Sequence, residues 1–164
     1  MRIPVLVFAL PAVAGGLAAR ALPAAAPPAV RCDAIIMQVR SGHAGGYRVV
    51  LGVVSVPPAF LPQVVPTGNR PWAHWRKAGL LIRGDAQPVS VSVARPWRGR
   101  AAISWGTSGI VSALRFRPCP STGKAWNAYA GGFYLRSRSA CVPLVFRVGR
   151  RSAVVRFGLG RRCR

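Results

Sequence analysis

The chain has 164 residues, of which 24 are Lys or Arg and only two, Asp33 and Asp85, are acidic, so its formal net charge is +22. Globular domains usually carry both signs of charge, and an excess this large predicts attraction to polyanions and repulsion within the chain. It also argues against hydrolytic and acid–base chemistry, because the carboxylates that such enzymes use are almost absent.

The basic residues are almost all arginine. Twenty-two are Arg and two are Lys, and the chain is also rich in Ala, Gly, Pro and Val. These are residues of GC-rich codons, so the preference for Arg over Lys reflects genome composition. Asp and Glu have GC-rich codons too, which makes the scarcity of carboxylates the stronger signal.

The first 21 residues have the pattern of a secretory signal peptide. Arg2 gives a positive start, residues 3–17 are mostly apolar, and Ala19-Arg20-Ala21 fits an A-x-A cleavage site. The apolar run is shorter than the roughly 20 residues of a spanning helix, although an uncleaved anchor is the alternative. Removal of Arg2 and Arg20 would leave 22 basic against two acidic residues, a net charge of +20.

After the cleavage site we predict an Ala/Pro-rich leader over residues 22–31 and one β domain over residues 32–164. Helical periodicity is nearly absent from this domain, whereas apolar and polar residues alternate with period two in many segments. We predict about eight or nine short strands, at residues 35–40, 47–56, 80–83, 88–93, 101–105, 110–117, 133–136, 142–148 and 153–157.

The last two predicted strands form a hairpin across residues 149–152. Short strands separated by Gly and Pro turns indicate an antiparallel β-sandwich, similar in size to an immunoglobulin domain, with a barrel as the alternative.

Two long connections separate the predicted strands. Residues 57–72 contain five prolines, which favour extended backbone. Residues 118–132 contain Trp126, Asn127 and Tyr129. Because binding residues often sit on loops held by a rigid scaffold, both connections are candidate interaction segments.

Four cysteines, at Cys32, Cys119, Cys141 and Cys163, predict two disulfides, as is typical of an even cysteine count in an exported chain. Cys32 and Cys163 bracket the domain, so we expect a Cys32–Cys163 bond and a second bond between Cys119 and Cys141. Cys32–Cys119 with Cys141–Cys163 is the alternative pairing. No C-x-x-C motif occurs, and we predict neither a metal nor another cofactor.

In the later predicted strands, apolar residues alternate with arginines, and this predicts which way the arginine side chains point. If Leu114 and Phe116 face the core, Arg115 and Arg117 face outward, and the same reasoning applies to Arg136, Arg147 and Arg156. If these strands are neighbours, one outer sheet face carries a cluster of guanidinium groups, which bind phosphate or carboxylate well. The alternative is a solvated surface on which the arginines are well spread.

Residues 72–77 place aromatic and basic side chains together, at Trp72, Trp75, Arg76 and Lys77. Tryptophan beside a cation suits the stacking of sugars or bases and the binding of anionic headgroups. We add Trp126 as a third stacking residue. The alternative is that the tryptophans cap the core.

Enzyme and nucleic-acid signatures are incomplete. Residues 106–109 are one residue short of G-x-S-x-G, and residues 121–124 lack the first glycine of a P-loop. No zinc-finger, helix-turn-helix or RRM motif occurs. We therefore predict a noncatalytic protein and expect no physiological nucleic-acid partner.

Three segments resemble a group of small exported proteins of actinobacterial type. They are residues 52–58, residues 126–134, and residues 155–163, which read Val-Arg-Phe-Gly-Leu-Gly-Arg-Arg-Cys. The resemblance implies an exported, β-rich domain and attaches no activity or site residue to it.

The sequence thus predicts an exported, noncatalytic β domain that binds an anionic component of the cell envelope, either a wall glycopolymer or a lipid headgroup. The alternative is an exported protein–protein interaction or inhibitor-like module that uses the Pro-rich connection or residues 126–134.

Overall fold

The computed structural model of the protein describes residues 25–121 and 125–164, so the predicted signal peptide lies outside the described residues. The described part is all-β, with three short 3-10 helices at Cys32–Ala34, Ala44–Gly46 and Arg95–Trp97. None of its helices has the length and apolar character needed to cross a membrane.

Fifteen strands are present in the described part. In chain order they are β1 (Ala29–Val30), β2 (Ile35–Val39), β3 (Arg48–Val50), β4 (Val54–Val56), β5 (Phe60–Leu61), β6 (Val65–Pro66), β7 (His74–Lys77), β8 (Leu80–Arg83), β9 (Val89–Val93), β10 (Ala101–Trp105), β11 (Ala113–Phe116), β12 (Trp126–Tyr129), β13 (Gly131–Leu135), β14 (Ala140–Val148) and β15 (Arg151–Leu159).

The largest sheet has six strands in the order β1-β11-β9-β14-β15-β5. Its centre is the predicted hairpin of β14 and β15, which pair from Ala140–Leu159 to Val148–Arg151. The two-residue turn begins at Gly149, whose φ of 56° suits glycine. Val, Leu and Phe side chains alternate along these strands toward the core because successive residues of a strand point to opposite faces.

The remaining strands form a four-stranded sheet, β10-β13-β7-β6, and a five-stranded sheet, β2-β12-β8-β4-β3. The two sheets are connected by one long antiparallel pairing. The chain segment of β7 and β8 runs beside the segment of β12 and β13, and the register of the pairs β7–β13 and β8–β12 is the same. Between the two sheets the Ala78 N–H donates to the Gly131 carbonyl at 2.8 Å, and the Trp105 indole N–H donates to the Ala78 carbonyl at 2.8 Å. The pairing therefore continues from one sheet into the other.

The core lies between the six-stranded sheet and the other two sheets. Phe133 and Phe157 meet there with ring centroids 5.2 Å apart, and Phe116 meets Tyr129 edge-on at 4.9 Å. All four side chains are buried. Each buried side chain of this size contributes about 2–3 kcal/mol relative to exposure.

The predictions of an all-β fold and of two disulfides are confirmed, but the predicted single sandwich of eight or nine strands differs from the three sheets of the structure. The predicted strand at 47–56 is divided into β3 and β4 because Leu51 and Gly52 both have positive φ. The Pro-rich connection supplies β5 and β6, and the connection at 118–132 contains β12.

The disulfides are Cys32–Cys119 and Cys141–Cys163, so the first predicted pairing, Cys32–Cys163, is wrong and the alternative is correct. Parallel pairing of β1 with β11 brings the residues that follow each strand to the same end of the sheet. Cys32 and Cys119 are among those residues. Cys141 pairs in the ladder with Gly158, and the chain returns to Cys141 after β15 ends.

The return of the chain explains the glycines of the C-terminal motif. A Cβ atom at Gly158 would overlap the carbonyl oxygen of Arg161, and Gly160 has a φ of 67°. Both glycines are thus needed for the segment 161–163 to fold back over β15 and reach Cys141.

Replacement of Gly158 by Ala should therefore lower the free energy of unfolding of the oxidised protein by about 1–3 kcal/mol, as overpacking usually does. Urea unfolding measures the change. Gly68→Ala is the matched control, because no atom lies within 4 Å of the position that its new Cβ would take and its φ is not in the left-handed region. Equal effects of the two substitutions would contradict this account of the C-terminal segment.

Candidate functional site

Each of the two acidic side chains of the chain forms an ion pair with an arginine two residues earlier in the sequence. Asp33 pairs with Arg31 at 2.9 Å, and Asp85 pairs with Arg83 at 2.5 Å. The hydrogen bond from Arg31 lowers the pKa of Asp33. No other ion pair is present in residues 25–121 and 125–164, so Arg83 on β8 is the one arginine of the described strands that has a carboxylate partner.

The outer face of the six-stranded sheet carries a regular row of arginine and serine. Arg115 on β11 lies opposite Ser90 on β9, Ser90 lies opposite Arg147 on β14, and Arg147 lies opposite Ser152 on β15. We call these four residues the arginine row. Since neighbouring strands are about 4.8 Å apart, the backbones of Arg115 and Arg147 are roughly 10 Å apart.

The serines keep like charges from lying directly opposite each other, an arrangement that destabilises sheets. Arg115, Ser90 and Arg147 also line a surface recess of about 430 Å³. The Ser90 hydroxyl makes no hydrogen bond to any described residue. Two guanidinium groups and a hydroxyl therefore offer hydrogen-bond donors around one recess, which is the donor set that an oxyanion accepts from.

Further cations lie along the same face. Arg156 on β15 pairs with Pro143 on β14. Beyond it, the C-terminal arginines line a second recess of about 520 Å³ beside Cys141; they are Arg161, Arg162 and Arg164. Cys141 is six residues from Arg147 on β14, a separation of about 20 Å. The face is thus cationic at both ends.

The middle of the face is less polar. Val145 and Val154 lie opposite each other there, and Val154 is 62% exposed. The outer face therefore combines two cationic ends with a small apolar centre.

The structure places the predicted arginines on two different surfaces. Arg115, Arg147 and Arg156 share the outer face of the six-stranded sheet, and Arg117 is exposed one residue beyond β11. Arg136 follows β13 in the four-stranded sheet, and its guanidinium lies over the Trp72 ring, 5.7 Å from the centroid. The expected single cluster is therefore divided.

The two surfaces point in opposite directions. Phe133 and Phe157 meet between the sheets, and their neighbours Tyr134 and Arg156 lie on the other sides of their strands. A small ligand cannot contact both Arg156 and Tyr134 at once.

The outer face of the four-stranded sheet holds an aromatic patch, which we define as Trp72, Trp75, Tyr134 and Arg136. Trp75 lies opposite Tyr134 with ring centroids 6.4 Å apart. Both tryptophans are half-buried, so their rings support the sheet and also present an edge to solvent. Lys77 is exposed on the same face.

Two predicted site residues lie elsewhere. Arg76 pairs with Phe133 on the core-facing side of β7, and its Nε is buried without a hydrogen-bond partner in the described residues. Trp126 is 8% exposed and packs against Gly42, so it offers no open ring for stacking. Because successive residues of a strand point to opposite faces, Arg76 and Lys77 lie on different sides of β7. Trp126 is buried because β12 has a neighbouring strand on each side.

Several residues of these surfaces are not recognisable as site residues from the sequence. The alternation marks Ser90 only as a polar neighbour of the valines on β9, and Tyr134 falls within a segment that carries no charge pattern. The sequence shows the alternation along each strand, but it does not show which strands are neighbours in a sheet. Among the described residues, no group of three or more His, Cys, Asp or Glu is close enough to hold a metal ion.

Comparisons of the chain with protein families, with curated proteins and with solved structures found no match. The two disulfides indicate an oxidising environment outside the cytoplasm.

Because the chain has only two carboxylate side chains, we predict that its folded state is unusually resistant to acid. Acid denaturation mostly reflects protonation of carboxylates that are paired in the native state, and this chain has only two. Because the pKa of Asp33 is lowered, the stabilisation from its pair is present at neutral pH and is lost as the pH falls through that lowered pKa. The Asp33 pair is exposed to solvent, so this loss is small.

We expect the Tm of the oxidised protein to fall by less than about 5 °C between about pH 5 and about pH 2.5. Thermal unfolding followed by circular dichroism measures it. A fall of more than about 15 °C would contradict the inference that carboxylate pairs contribute little to stability.

Proposed function

We propose that the protein is an exported, noncatalytic binder of an anionic polymer of the cell envelope, which lies along the outer face of the six-stranded sheet. A phosphate-bearing wall glycopolymer has the required chemistry. The observation that carries the proposal is the arginine row, in which Arg115 and Arg147 flank Ser90 while both carboxylates of the chain are paired elsewhere.

Electrostatics favours such a ligand. Exposed ion pairs contribute only about 0.2–1 kcal/mol each, so one anion at the recess would bind weakly. A polymer that carries repeated charges gains from several such contacts at once. The arginines at both ends of the face, about 20 Å apart along β14, support a ligand of that length.

The chemistry of the recess favours binding over catalysis. Arginine stays protonated and cannot act as a general base. The recess at Ser90 has neither a carboxylate nor a histidine in its lining, so the serine has no base to activate it. Export is supported by the pattern of residues 1–21 and by the two disulfides.

Substitution of the arginine row tests the proposal. Arg115→Gln with Arg147→Gln should weaken binding of long-chain polyphosphate to the oxidised protein by about ten- to thirtyfold, since two charge-assisted contacts are lost. Isothermal titration calorimetry at several salt concentrations measures the affinity. The salt dependence of the variant should be shallower than that of the wild type.

Arg40→Gln with Arg48→Gln is the matched control, because it removes the same charge from exposed positions at the five-stranded sheet. It should weaken binding less than about threefold. Equal losses in both double variants would mean that net charge alone is responsible. Tighter binding to phosphatidylglycerol vesicles than to polyphosphate would identify a membrane surface instead, and binding that persists undiminished at high salt would exclude the electrostatic mechanism.

A further inference from the structure

The surface also holds an apolar cleft of about 260 Å³, at the junction of the five-stranded and four-stranded sheets. Small residues such as Gly79 and Ala128 line it beside Leu81, and Ile36 and Met37 stand at its edge. Ile36 and Met37 are 62% and 56% exposed, which is unusual for large apolar side chains.

The cleft follows from the local strand geometry. Ile36 is the extra residue of a bulge, because Met37 pairs with Ala128 while Ile35 pairs with Tyr129. Bulges redirect side chains at sheet edges. On the opposite side, the Tyr47 hydroxyl donates to the Gly79 carbonyl at 3.4 Å, which fixes the ring as a wall of the cleft.

Lys77 is the only charged side chain among the described residues that line the cleft. Its cross-strand partner is Gly132, which has no side chain to cover it. Both carboxylates of the chain are paired with Arg31 and Arg83, so Lys77 has no acidic side chain as a partner. The cleft thus combines an apolar interior with one unpaired cation.

We propose that this cleft binds a single-chain fatty-acid carboxylate, with the alkyl chain on Leu81 and Ala128 and the carboxylate at Lys77. The volume is slightly below the ~300–1,000 Å³ of ordinary ligand pockets, which suits one alkyl chain of medium length and not the two chains of a phospholipid. Met37 provides an adaptable wall, as methionine does in other apolar binding surfaces.

This binding site is independent of the proposed polymer-binding function. The cleft belongs to the five-stranded and four-stranded sheets, whereas the arginine row belongs to the six-stranded sheet. Either site can therefore fail in a test without affecting the other.

Titration calorimetry of the oxidised full chain with n-alkanoates, from hexanoate to dodecanoate below their micelle concentrations, tests the proposal. Affinity should rise about fourfold for each added methylene group until the cleft is filled, and then level off. Decylammonium, which has the same chain and the opposite charge, should bind at least tenfold more weakly than decanoate. Affinity independent of chain length, or equal affinity for decylammonium, would overturn the proposal.

Variants locate the binding. Lys77→Gln should weaken decanoate binding about two- to fivefold and leave decanol binding unchanged, as expected for loss of one exposed ion pair. Arg48→Gln, which removes one charge from an exposed position on β3, is the matched control and should have no effect. Equal effects of the two substitutions would overturn the role of Lys77.

Two further variants test the location of the site, one by filling the cleft with a larger side chain and one by placing a negative charge at its edge. Ala128→Phe should weaken both decanoate and decanol binding at least tenfold. Met37→Glu, at an exposed position where water can solvate the new carboxylate, should weaken decanoate binding by a similar factor. Undiminished decanoate binding in Met37→Glu would overturn the proposed location. Loss of decanoate binding in the double variant Arg115→Gln with Arg147→Gln would assign the ligand to the arginine row instead.

Discussion

Because Asp33 and Asp85 are each paired with an arginine two residues away, every other cation of the sheets has to be accommodated without an acidic side chain. The fold must therefore be stabilised by apolar packing, backbone pairing and disulfides. Phe116, Phe133 and Phe157 supply much of the aromatic packing between sheets. Arg115, Arg147 and Arg156 occupy outward positions of their strands, where water solvates them, whereas Arg76 lies on the core-facing side of β7.

The same constraint explains how the arginines are spaced. In the row formed by Arg115, Ser90, Arg147 and Ser152, serine separates the charges on neighbouring strands. This spacing reduces repulsion within the sheet without neutralising the face. An external polyanion can supply the missing negative charge, and the cationic ends of the face give it more than one point of contact.

The C-terminal segment adds further arginines to this face, where a disulfide holds it. Gly158 leaves space for the returning chain, and Cys163 fastens it to Cys141. The arginines of the segment are thereby held on the side of the molecule that carries the arginine row. The opposite side, with the aromatic patch and the cleft at Lys77, is more apolar, so the two sides of the molecule differ in their chemistry.

The sequence predicted what strand alternation determines locally. The hairpin of β14 and β15 and the outward directions of Arg115, Arg147 and Arg156 all follow from period-two patterns, and the structure agrees with them. Alternation also separates Arg76 from Lys77, but in that short segment the residue types form no pattern from which to recognise a strand.

Properties that depend on which strands are neighbours could not be predicted. Arg136 points outward as expected, yet β13 belongs to a different sheet from β14 and β15. The disulfide pairing depends on the parallel contact between β1 and β11, which is only two residues long and leaves no mark in the sequence. Trp126 is buried because strands flank β12 on both sides.

The central claim is that the arginine row, and not net charge in general, receives the anion. The most direct measurement is NMR of the arginine side-chain Nε–H groups during titration of the oxidised protein with polyphosphate at about physiological salt, where distant charges are largely screened. We predict that the signals of Arg115 and Arg147 shift first and furthest, while those of Arg40 and Arg48 change little. Shifts spread evenly over all arginines, or largest at Arg40 and Arg48, would contradict the account.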